Sequence, residues 1–296
     1  MLRNKKSLVA KGALVIAVAM LMAACGNEMH SESNKDQTKT PTIAEASITP
    51  NETQQPTYTL PSPLEIASIF KKSGMKFKEG LTSQAKDPSR YTTNFSKALN
   101  LGVYSADLSY AILNKQNQEV MNYMKLSRKI SDHLGIGSVY ETNNLAKRFE
   151  KNIANEDSLG GIISELQMEM DFYLMENNLQ QITSIAFAGA WIESLYIATK
   201  VYENTKEKEL NKKLSQQISI LGSIVNALKE EEKKDQAITG LISQLQDVQM
   251  IYNSFKTVKD SSKSKNKIIL TDGEVALLTE KIIELRTKFI NGQKLI

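Results

Sequence analysis

Cysteine, histidine and tryptophan are nearly absent from this 296-residue sequence, which has one Cys (Cys25), two His (His30 and His133) and one Trp (Trp191). A lone thiol excludes an intrachain disulfide and a cysteine-built metal site, so stability must come from a packed core. So little histidine leaves no Glu-x-x-His for a di-iron bundle and no His-Glu-x-x-His helix for zinc chemistry. The Walker A pattern, Gly-x-Gly-x-x-Gly, Gly-x-Ser-x-Gly and an EF-hand loop are missing too. Gly135-Ile136-Gly137-Ser138 reads instead as a helix-to-helix turn. Ser131-Asp132-His133 is a poor triad, because neighbouring residues on a helix point in different directions. His133 falls in a last helical turn, where a cationic ring suits the helix dipole. No catalytic residue, no metal and no cofactor is assigned on this basis.

What is present first is an export signal. Arg3, Lys5, Lys6 and Lys11 precede an apolar run from Ala13 to Ala24. At about a dozen residues the run is short of the roughly 20 that span a bilayer as a helix. Leu21-Met22-Ala23-Ala24-Cys25 follows and resembles the lipobox of bacterial lipoproteins, with Met22 at a place usually held by Leu. The resemblance implies cleavage before Cys25 and lipidation of its thiol, so that the protein meets the membrane through Cys25. Residues 1–24 hold four basic residues and no acidic one, which is the whole excess of 37 Lys and Arg over 33 Asp and Glu. The pI of 8.8 thus belongs to the signal. The remaining chain is formally neutral, with no net pull toward nucleic acid or anionic lipid.

Residues 25–60 read as the lipidated cysteine and a disordered linker, polar and interrupted by Pro41, Pro50 and Pro56. Such a segment cannot bury enough surface to offset its chain entropy, and as a random coil it would span roughly 30–35 Å. Residues 61–296 read as an all-helical domain. Ser62-Pro63-Leu64-Glu65 opens the first helix as a capping box, with Gly74 as its stop. A second helix covers about 93–114 and carries Ala98, Gly102 and Ala106 along one edge, a spacing that permits close approach of a neighbour. A third, about 118–134, stops at Gly135. A fourth is expected to open at Ser138-Val139-Tyr140-Glu141 and to present Leu145, Phe149 and Ile153. A fifth covers about 158–177. The sixth, about 180–202, is apolar around most of its circumference and is therefore placed at the centre. A seventh spans Leu210 to Leu228, an eighth Ile238 to Phe255, and a ninth opens at Thr271-Asp272-Gly273-Glu274. Lys267 to Leu270 has strand character but no evident partner. No repeat and no recurrent strand alternation appears, so the fold class is all-α, a multi-helix bundle of about nine helices behind a disordered tether.

Two carboxylates stand in apolar settings. Asp107 shares a helical face with Val103, Tyr104, Tyr110 and Ala111, and Glu193 shares one with Gly189, Ala190, Tyr196 and Ile197. A buried carboxylate must be paired, protonated or facing a cavity. One account is a core ion pair or tyrosine hydrogen bond. The other is a polar anchor in a ligand pocket formed by Asp107, Tyr104, Trp191, Glu193 and Tyr196. The run Lys256, Lys259, Lys263, Lys265 and Lys267 reads as a solvated basic loop. Without interleaved aromatics it gives no case for nucleic-acid binding.

Several stretches together resemble a family of uncharacterised lipoproteins of Bacteroidetes. They are Leu60-Pro61-Ser62-Pro63-Leu64-Glu65-Ile66-Ala67, the segment from Lys97 to Leu108, Arg148-Phe149-Glu150-Lys151-Asn152-Ile153, and Phe187-Ala188-Gly189-Ala190-Trp191-Ile192-Glu193-Ser194. The resemblance implies a helical envelope domain and supplies no catalytic residue. Gly26 after the cysteine, rather than Asp, implies an outer-membrane address. The expected function is a membrane-tethered binding or scaffolding domain with an envelope protein partner. The alternatives are a small-ligand sensor or carrier with a pocket beside the 180–202 helix, and a non-metal enzyme that uses carboxylates and tyrosines.

Overall fold

The structure is a computed structural model that describes residues 61–84, 87–231, 236–261 and 268–295. Cys25, the signal and the linker lie outside the described residues, as do Lys263, Lys265 and Lys267 of the basic run. The described residues are helical with no strand among them: α1 Pro63–Lys72, α2 Asn94–Leu113, α3 Asn117–Leu134, α4 Leu145–Lys151, α5 Glu156–Glu176, α6 Gln180–Thr205, α7 Lys208–Ile218, α8 Leu221–Glu231, α9 Gln236–Ser254, α10 Lys256–Asp260 and α11 Asp272–Ile290.

Local chemistry sets most of the ends. Ser62 Oγ accepts from Glu65 N–H at 3.2 Å and Glu65 reaches back to Ser62 N–H at 2.6 Å, a closed capping box at the start of α1. Thr271 and Glu274 repeat the arrangement at α11. There Glu274 also accepts from Thr257 N–H and Oγ–H, which ties the start of α10 to the start of α11. Gly135 ends α3 in the left-handed region at φ 78°.

α6 lies at the centre, with Ala188, Ala190, Trp191, Ile192 and Leu195 fully buried. It is long and apolar enough to cross a membrane, but 78% of its apolar window is enclosed by the bundle, as befits a core helix. α2 packs along it at backbone contact. A Cβ added to Gly102 would stand 1.8 Å from Ala186 O, and one added to Gly189 would stand 2.1 Å from Leu99 O. The edge formed by Ala98, Gly102 and Ala106 is this contact. α11 packs against both α6 and α2, with Leu278, Ile282, Leu285 and Phe289 buried. Asn100, fully buried on α2, ties that helix to α11 by donating to Phe289 O at 2.9 Å.

Four local expectations change. The helix expected to open at Ser138 does not start there. Residues Gly137–Asn144 form 3₁₀ turns broken at Thr142 and Asn143, and α4 begins only at Leu145. Asn143 and Asn144 take positive φ of 49° and 55°, a region asparagine tolerates better than most residues. Leu145 and Phe149 are buried as expected. The single helix expected from Leu210 to Leu228 is two, α7 and α8. At the junction Ser219 Oγ donates back to Gln216 O at 2.6 Å, and such local bonds compete with the helical ladder. The strand-like character near Leu270 has a side-chain partner instead of a strand. Buried Asn211 donates to Leu270 O at 2.9 Å and accepts from Leu270 N–H at 2.8 Å. Lys256–Asp260, expected as loop, makes the helical turn α10.

Candidate functional site

The two carboxylates singled out by their apolar neighbours come together in the core. Asp107 on α2 and Glu193 on α6 are both fully buried. Their shared countercharge is Arg286 of α11, which sequence reasoning did not connect to them. Its Nε donates to Glu193 Oε2 at 2.6 Å and its Nη2 to Glu193 Oε1 at 2.7 Å, the bidentate fork that arginine favours. The guanidinium lies 3.9 Å from the centre of the Tyr196 ring, and Nη2 also reaches Leu81 O at 3.3 Å. Burial opposes the arginine's charge, but the Glu193 carboxylate outweighs it and holds Arg286 above its ordinary range.

Asp107 is held differently. Ser83 donates both its N–H, at 3.1 Å, and its hydroxyl to Asp107 Oδ2. The other oxygen, Oδ1, accepts no hydrogen bond. Burial and then the charge of Glu193 push the Asp107 carboxyl well above the ordinary carboxylate range, against the Ser83 hydrogen bond and Arg286. Burial and the neighbouring Glu193 charge thus favour the neutral acid at Asp107. Arginine, glutamate and neutral aspartic acid then carry no net charge, as a dry interior requires. Around them, Tyr123 hydroxyl donates to Ser83 O, and Tyr91 hydroxyl lies 3.4 Å from that of Tyr104. Burial raises the Tyr104 and Tyr123 phenols.

The cluster fastens the connection between α1 and α2. Leu81 and Ser83, on that connection, are 6% and 3% exposed, and their backbone groups are held by Arg286, Asp107 and Tyr123. The arrangement is a core latch joining α2, α3, α6 and α11. Trp191 is fully buried nearby in sequence, with an indole N–H that has no acceptor. Of the five residues expected in a pocket, Asp107, Tyr104, Trp191 and Glu193 are thus core residues, and Tyr196 is partly buried under Arg286.

The molecule opens elsewhere along α6. A groove of about 380 Å³ runs between the start of α1, α2, α5 and the first half of α6. Leu101, Met170, Leu174, Ile182 and Phe187 give it an apolar floor, with Gly102 and Ala186 at the helix contact. Ser62, Glu65, Ser105, Gln167, Asp171 and Thr183 supply polar groups. Asp171 is braced by Gln167 Nε2 at 3.0 Å and Thr183 Oγ1 at 3.4 Å. A smaller recess of about 50 Å³ shares Ser62, Pro63, Leu101, Ser105 and Met170 and extends toward Tyr140 and Ser127. A third, more polar basin of about 400 Å³ lies over Tyr110, Ser83 and Tyr123, at the outer side of the latch.

Among the described residues no group of three or more His, Cys, Asp or Glu side chains is placed to hold a metal ion. Comparison of the chain with protein families, with curated proteins and with solved structures returned no match.

Proposed function

We propose that this protein is a lipid-anchored binding domain of the bacterial cell envelope, attached at an outer membrane through Cys25, whose binding face is the groove between α1, α2, α5 and α6. The observation that carries the reading is the groove itself. It is an open, largely apolar concavity with a few polar groups, whereas the buried carboxylates are already engaged by Arg286 and Ser83. Its volume lies in the range of about 300–1,000 Å³ typical of ligand sites. The lone cysteine after a short apolar run supports the anchor, and a polar segment of 35 residues before Pro61 would let the domain stand off the lipid surface.

Two measurements test this. Metabolic labelling with palmitate should mark the protein, and Cys25→Ser should abolish the label. In cells that make the protein, a photo-crosslinking residue at Met168, on the groove, should give a discrete adduct. The same residue at Met250, 62% exposed on α9, should give none. Equal adducts at both positions, or none at Met168, would count against the groove as the binding face.

A second reading, a small-ligand carrier, draws on the same volume. It predicts a ligand-driven rise in Tm that Phe187→Ala abolishes.

A further inference from the structure

The outer face of α5 is unlike the rest of the surface. Met168, Phe172 and Met175 are 63%, 51% and 54% exposed, and their spacing of four and three places them on one side of the helix. Met168 also lines the groove, so the stripe adjoins the groove at that residue. Solvated apolar side chains at this density mark a contact surface, and flexible methionines suit a partner whose side chains vary.

Along α5 itself and in the groove the charge has one sign. From Asn152 to Thr199 the chain has no Lys or Arg. Glu169, Asp171 and Glu176 flank the stripe and Glu65 lies at the groove's other wall, and among the described residues none of the four is in an ion pair. No basic side chain lines the groove. An anionic headgroup or a fatty-acid carboxylate would therefore meet repulsion, while a cationic partner would be drawn in.

Resting on the reading of the groove as the binding face, we infer that its occupant is a cationic amphipathic helix of another protein. The apolar side of that helix would lie on Met168, Phe172 and Met175 and in the groove, with its lysines or arginines against Glu169, Asp171 and Glu176. This is helix-in-groove recognition with complementary charge. A second folded copy is a poor candidate, because the lysine-rich α7 already buries Leu210, Leu214 and Ile218 in its own core.

The test uses the mature chain from residue 25 carrying Cys25→Ser, so that neither signal nor lipid calls for detergent. The probes are an 18-residue amphipathic helix of Leu and Lys and its Leu and Glu counterpart. The Lys peptide should bind, more weakly as salt rises, and the Glu peptide should not. Phe172→Asp and Asp171→Lys, both at exposed positions, should each weaken Lys-peptide binding at least tenfold. Leu277→Asp, at an exposed apolar site on α11, should leave it unchanged. Equal binding of both peptides, or equal loss in all three variants, would overturn the inference. So would binding to anionic vesicles that Phe172→Asp abolishes, or a dimer that the same change dissolves. If the Lys peptide fails while the Met168 cross-link in cells persists, the groove remains the binding face and only the cationic helix is wrong.

Discussion

Asp107→Asn should stabilise this protein at neutral pH and leave it unchanged in acid. In the folded chain Asp107 accepts from Ser83 through one oxygen, and its other oxygen has no hydrogen-bond partner. An asparagine keeps a carbonyl for Ser83 and brings no charge beside Glu193. The difference is in the unfolded chain, where aspartate ionises around its ordinary value of 3.8 while the buried residue, its pKa raised, does not. Above that value the native state therefore binds one proton more than the unfolded state. Stability falls as pH rises by about 1.4 kcal/mol per unit, until the folded carboxyl itself titrates. Below it both states are protonated and the penalty vanishes. Asparagine has no such proton. The gain from Asp107→Asn should thus be near zero at about pH 4 and grow with a slope of up to about 1.4 kcal/mol per unit toward pH 7. Urea unfolding at a series of pH values, read by far-UV circular dichroism, measures it. A loss of stability of similar size at every pH would show that the fold does not raise the Asp107 carboxyl, and the reasoning about the latch would be refuted.

Other substitutions probe the same framework. Arg286→Met should destabilise by about 3–5 kcal/mol by leaving Glu193 buried without its partner, and adding Glu193→Met should restore more than half of that. Denaturation midpoints of the single and double variants decide it. Gly102→Ala should also destabilise. The helix-propensity gain of about 1 kcal/mol is outweighed because the new methyl meets the backbone of α6, with Ala186 O at 1.8 Å. Gly161→Ala on α5, with nothing within 4 Å of its Cβ, should instead gain up to about 1 kcal/mol. A thermal melt in which the two glycines behave alike would contradict the close α2–α6 contact.

Features governed by near neighbours in the chain were legible in the sequence. Ser62 with Glu65, Thr271 with Glu274, and Gly135 announce helix ends because cap and helix lie within a few residues. Gly102 announced close packing by its place on the edge with Ala98 and Ala106. Asp107 and Glu193 stood out because carboxylates are rare on apolar faces. Their partner did not, since Arg286 lies 93 residues beyond Glu193. One signal was available. Arg286 is the only arginine after Arg148 in a chain that otherwise uses lysine, and it shares a helical face with buried Ile282 and Phe289. The breaks at Asn143 and Ser219 were hidden because the apolar spacing runs on through both. The groove had no sequence signature at all, being a gap among four helices that no single periodicity encodes. The stripe on α5 was present as Met168, Phe172 and Met175, but periodicity cannot tell a buried apolar face from an unpartnered one.

Binding through the groove and α5, with the buried carboxylates left to serve the fold, is tested by the photo-adduct formed at Met168 in cells, compared across two further changes. The adduct should persist in Asp107→Asn and disappear in Phe172→Asp, with both proteins folded. Loss of the adduct in folded Asp107→Asn, or its persistence in Phe172→Asp, would contradict the account.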